Sequence, residues 1–135
     1  MLISTKGRYA LRFLLDLAER PDEVVPLQAV AARAGISKKY LESIVALLTS
    51  SGMLRITRGY QGGYQLARPP AQITVAEVLR FAEGGLQLVP DEDFDPQEPT
   101  SYVWTRLQDA IDGCLSGITL QDILDNGAAP IEYVI

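Results

Sequence analysis

Residues 35–66, GISKKYLESIVALLTSSGMLRITRGYQGGYQL, decide the fold. Gly35 supplies the tolerance of positive φ that a tight turn after a short helix needs. Ser37 is a good N-cap for the next helix, whose apolar stripe is Leu41, Ile44, Val45 and Leu48. The period then changes. Leu54-Arg55-Ile56-Thr57 and Tyr64-Gln65-Leu66-Ala67 alternate, and the glycine-rich Arg58–Gly63 between them predicts a β-hairpin with a six-residue tip.

Upstream, Leu27, Val30, Ala31 and Ala34 give a short helix running into Gly35. Before it, Ala10, Phe13, Leu14, Leu17 and Ala18 predict an amphipathic helix over 5–20, stopped by Pro21, and Val24-Val25 a very short strand. Downstream, Pro69-Pro70 is the best boundary in the chain. Thr74 then caps a helix carrying Val75, Val78, Leu79 and Ala82, ended by Gly84-Gly85. Residues 90–99 form an acidic, proline-rich loop expected to be mobile. A longer helix follows, with Val103, Trp104, Leu107, Ala110, Ile111 and Cys114 or Leu115 on one side. Thr119 with Asp122 resembles a capping box for a last helix over 120–126. The expected class is mainly α with a small β-hairpin, a winged helix-turn-helix followed by a long C-terminal helix. The expected division is 1–70, 71–127 with its acidic loop, and a tail at 128–135.

The 135 residues carry a net charge of −5, distributed unevenly. Residues 1–70 hold ten Lys and Arg against five Asp and Glu, whereas residues 71–135 hold two against twelve. A basic half suits a polyanion, and an acidic half faces something else. With no histidine and one cysteine, Cys114, neither a histidine-dependent triad nor an iron–sulfur or zinc site within one chain is expected. No phosphate loop precedes a helix, so no enzyme and no cofactor are expected. No signal peptide or membrane span is visible, which predicts a cytoplasmic location.

The predicted chemistry is DNA recognition. The helix after Gly35 offers Ser37, Lys38, Lys39, Tyr40 and Glu42 to a major groove. Lys and Ser suit phosphates, and a Glu can accept from the exocyclic amine of cytosine. Arg58, beside Gly59, can enter a minor groove with little obstruction. Lys6, Arg8 and Tyr9 can hold phosphates at the start of the first helix. Cys114 reads as a small buried hydrophobe or as an oxidant-sensing thiol, with Asp109 and Asp112 arguing against a lowered pKa.

Ser4-Thr5-Lys6-Gly7-Arg8-Tyr9-Ala10, Gly35-Ile36-Ser37 with Tyr40-Leu41-Glu42, and Arg58-Gly59 with Gly62-Gly63-Tyr64 resemble the IscR and CymR family of winged-helix repressors, the Rrf-two family. The resemblance covers nearly the whole chain. It implies a homodimer that represses transcription from an inverted-repeat operator. Glu42, Ser37 and Arg58 would read DNA, and Ser4, Thr5, Lys6 and Tyr9 would hold phosphates.

IscR-like members carry three cluster-binding cysteines before the long helix, where Leu86 to Tyr102 contains none. Cluster sensing is therefore not expected. The Trp104–Ala110 and Thr119–Asp122 stretches are similar to the CymR branch, which controls cysteine and sulfur-assimilation genes together with cysteine synthase. The long helix would then be the dimerisation element, through Trp104, Leu107 and Ile111, unless that stripe packs within its own subunit. The terminal Tyr133-Val134-Ile135 would enter the cysteine synthase active site, as the isoleucine end of serine acetyltransferase does. A terminal carboxylate with an apolar side chain imitates an amino-acid substrate, and O-acetylserine would compete with it. The alternative is that the tail folds back on its own domain. A family repressor answering another small-molecule or redox signal, and a protein–protein module without DNA binding, are the competing readings.

Overall fold

The computed structural model describes residues 2–127. Its elements run α1 (Thr5–Ala18), α2 (Leu27–Ala34), α3 (Lys38–Ala46), β1 (Leu54–Thr57), β2 (Gly63–Leu66), α4 (Val75–Glu83), α5 (Ser101–Ser116) and α6 (Leu120–Gly127). The C-terminal tail lies outside the described residues.

Local sequence accounts for several element ends. Ser4, Ser37 and Thr74 cap α1, α3 and α4, each hydroxyl accepting from the backbone N–H three residues on. Gly35 stands at φ 70° and ends α2. There Ile36 N–H reaches the Ala31 carbonyl, as in a Schellman closure. At α6 the Thr119 N–H donates to Asp122 while the Asp122 N–H donates to the Thr119 hydroxyl, a reciprocal box built with Asp.

β1 and β2 pair antiparallel, with Leu54 opposite Leu66 and Thr57 opposite Gly63. β2 starts at Gly63, one residue earlier than alternation suggests, and leaves Ala67 out. The reason is a third partner. Val25 forms a bridge with Tyr64, and a Cβ on Gly63 would collide with the Val25 carbonyl. The Val24-Val25 strand is thereby reduced to this single bridge.

The core does not stop at Pro69-Pro70. Ile73, Val78 and Ala82, together with Leu120 from α6, share one cluster with Phe13, Leu14, Leu41, Ile44 and Leu48. Backbone bonds from Val75 N–H to Ile118 and from Leu120 N–H to Ile73 join the two chain segments. Phe13 meets Tyr64 edge-on at 5.6 Å, fixing the wing to α1. Asp16 accepts two bonds from Arg33, both 2.8 Å, tying α2 to α1, and this raises the Arg33 pKa above its ordinary value.

α5 behaves differently, because none of its residues is buried. Cys114 is exposed, which corrects the expectation of a buried hydrophobe: α5 contributes no residue to the core. The acidic stretch is built of successive turns, including a 3-10 turn at Asp91–Asp93 and a bond from Glu98 N–H to Asp95.

Candidate nucleic-acid interface

α3 and the β-hairpin enclose an open groove of about 600 Å³. Lys38, Glu42 and Thr49 line it from one side, and Thr57, Arg58 and Gly59 from the other. The fold thus brings the candidate base reader and the wing arginine together from opposite edges. Gly59 takes φ 93°, a conformation open to glycine, which turns the wing tip beside Arg58. Ser37, Lys38, Lys39, Glu42 and Arg58 are all exposed.

The ion pairs sort the basic residues. Arg20 and Arg33 are held by Asp16, and Arg68 by Glu77. Among the described residues Lys6, Arg8, Arg12, Lys38, Lys39, Arg55 and Arg58 of the basic half have no such partner, nor do Arg80 and Arg106. Cations without internal partners are the ones free to neutralise phosphates.

The start of α1 lies beside α3. The Tyr40 hydroxyl donates to Thr5 Oγ1 at 2.8 Å, and the Tyr9 and Tyr40 rings meet edge-on at 6.1 Å. Lys6 is exposed on the same turn. Ser4 departs from the expected phosphate contact. Its hydroxyl and its N–H both donate to Glu83 Oε1, at 2.8 and 2.9 Å. A carboxylate at that point repels phosphate, so Ser4 serves the protein's own structure. Tyr9 is half-buried, with the Arg12 guanidinium 5.3 Å from its ring centre.

Sequence reasoning missed Tyr60, which is 95% exposed at the wing tip, and Arg55 and Arg12. Tyr60 had a signal: an aromatic within a glycine-rich tip has no core to enter. It also missed Gln108, whose side chain clamps the loop before α5, donating to the Leu86 carbonyl and accepting from Leu88 N–H. On α5, Trp104 and Leu107 are 43% and 45% exposed and Ile111 is half-buried.

A turn-linked helix pair, an exposed helix face and a basic wing define a winged helix-turn-helix DNA-binding protein. The comparisons narrow this class. The profile of the Rrf2 family, described as iron-dependent transcriptional regulator, matches residues 3–126. The chain is 36% identical over 125 residues to the HTH-type transcriptional regulator CymR of Bacillus subtilis (strain 168), covering 91% of this chain and 89% of that one. The solved structure of B. subtilis CymR, described as the global cysteine regulator, superposes with a TM-score of 0.82 at 33% identity. That likeness covers 93% of this chain and 97% of that one. IscR of T. potens superposes with a TM-score of 0.78 at 34% identity, over 98% and 95% of the two chains. The chain therefore belongs to the Rrf2 family of transcriptional regulators.

The family description names iron, but the residues here do not fit an iron centre. The sequence has one cysteine and no histidine, and that cysteine is exposed on α5. Among the described residues no group of three or more His, Cys, Asp or Glu gathers to hold a metal ion. Cluster ligation needs several thiolates or an equivalent set. Among the described residues no helix is long and apolar enough to cross a membrane.

Proposed function

We propose that this regulator is a dimeric repressor of cysteine and sulfur-metabolism genes. It reads an inverted-repeat operator and acts with cysteine synthase through Tyr133, Val134 and Ile135. The observation that carries the operator reading is the groove shared by Glu42 and Arg58. A helix dipping into the major groove brings Glu42 to base edges, while the wing brings Arg58 to the adjacent minor groove. Thr5, Lys6, Lys38 and Lys39 flank that line as backbone contacts.

Dimerisation rests on α5. Trp104 and Leu107, with the half-buried Ile111 beside them, form an apolar stripe that its own subunit covers only in part. Burying it against a second copy removes that surface from water and sets two recognition helices on a palindromic site. The functional division is then 1–70 for DNA, 71–127 with the acidic loop 90–99 for dimerisation, and 128–135 for the partner enzyme, in a cytoplasmic protein. Similarity to B. subtilis CymR, the global cysteine regulator, supports the gene class.

The test is calorimetric titration of cysteine synthase from the same organism with the intact protein, with a version lacking residues 133–135, and with excess O-acetylserine. Binding that needs the tail and is competed by O-acetylserine is the expected result. Absence of binding removes the enzyme from the mechanism and moves the signal to a small molecule acting on the repressor itself.

A further inference from the structure

Glu83 is the last residue of α4, an unfavourable place for a carboxylate with respect to its own helix dipole. The fold puts that carboxylate at the N-terminus of α1, where the dipole favours it. Ser4 donates to Glu83 Oε1 through both its N–H and its hydroxyl. The same hydroxyl oxygen accepts from Gly7 N–H at 3.4 Å. Gly7 permits this approach, because a Cβ there would overlap the Glu83 carboxylate.

The next residue continues the connection. Thr5 Oγ1 accepts from the Tyr40 hydroxyl on α3, and Tyr40 lies two positions before Glu42. α1 is thus fastened at its first turn to α4 on one side and to the recognition helix on the other. At the α4 end, Glu83 is followed by Gly84 and Gly85, both at positive φ, and by the loop that Gln108 clamps to α5.

We propose that Glu83 is a positioning residue for DNA binding. Through Ser4, Thr5 and Tyr40 it fixes the recognition helix relative to the backbone contacts at the start of α1. The inference rests on the DNA-interface reading above. Glu83 touches no DNA in this scheme and acts by setting where Tyr40 and Glu42 stand.

The experiment measures affinity for a duplex selected from random sequence by the unmodified full-length protein. It uses fluorescence anisotropy on Glu83→Ala, Glu83→Gln, Tyr40→Phe, the Glu83→Ala/Tyr40→Phe pair, and Arg58→Ala as a control. Thermal melting of each variant reports its fold. Glu83→Ala is expected to bind about tenfold more weakly, since it removes two bonds to a charged acceptor. Glu83→Gln, whose amide oxygen can accept both Ser4 donors, is expected within about threefold of the unmodified protein. The two losses are expected to be less than additive in the pair, because both cut one connection. If Glu83→Ala does not fold, Ser4→Ala replaces it in the same cycle and leaves α4 untouched. Full affinity in Glu83→Ala, equal loss in Glu83→Gln, or additive losses in the pair would each overturn the proposal. With Arg58→Ala weakened, such a result sinks only the Glu83 connection. If Arg58→Ala also binds normally, the interface reading itself fails.

Discussion

α3 and α5 are both amphipathic, yet they meet opposite fates. α3 spans Lys38–Ala46 and buries Leu41, Ile44 and Val45 completely. α5, Ser101–Ser116, is nearly twice as long and buries nothing. Tyr102, Val103, Trp104 and Leu107 all remain partly in water. An apolar stripe records that a helix has a partner; it does not record whether the partner lies in the same chain. The first region has its partners in α1 and α2, whereas the second rests on α4 along one side and leaves much of its stripe open.

The largest test of this contrast is in the core. Phe13→Ala should cost about 3–5 kcal/mol of stability, read by chemical denaturation, because Phe13 joins α1 to the wing and is 1% exposed. A loss below about 1 kcal/mol would mean that the winged-helix half is not one packed unit. Next, Leu107→Lys should leave the melting temperature of the subunit nearly unchanged. It should convert dimer to monomer in sedimentation equilibrium and weaken binding to the selected duplex by roughly 100-fold through lost bivalency. A variant that stays dimeric would place the interface elsewhere.

Smaller effects sharpen the DNA-facing region. Arg58→Ala should weaken binding about tenfold and reduce the salt slope by about one, with the fold intact. Unchanged affinity removes the wing from the mechanism. Glu42→Ala should relax sequence preference at one base pair by about 1–3 kcal/mol while keeping affinity for unrelated duplex; equal loss on both duplexes would make it a backbone contact. Least, Asp122→Ala should destabilise by about 1 kcal/mol by opening the capping box at α6.

Much of this was legible in the chain because it is local. Caps at Ser37, Thr74 and Thr119, the left-handed Gly35, and the alternation around Arg58–Gly63 depend on neighbours within a few residues. Other features were not legible for the opposite reason: they depend on residues far apart in the chain. Cys114 shares the apolar register of Leu107 and Ile111, and register cannot distinguish a buried face from an uncovered one. Ser4 has the chemistry of a phosphate contact, but the carboxylate that accepts its hydrogen bond is 79 positions away. Pro69-Pro70 has the composition of a boundary, yet Ile73 and Leu120 reach across to the same core.

The sequence by itself determined the element order and the helix-turn-helix and wing, since these follow from short-range periodicity, capping and glycine geometry. Only the tertiary structure decided which cations lack an ion-pair partner among the described residues and that Glu42 and Arg58 line one groove. It also decided that Glu83 supports α1 and that α5 buries none of its residues, because each depends on contacts between residues far apart in the chain.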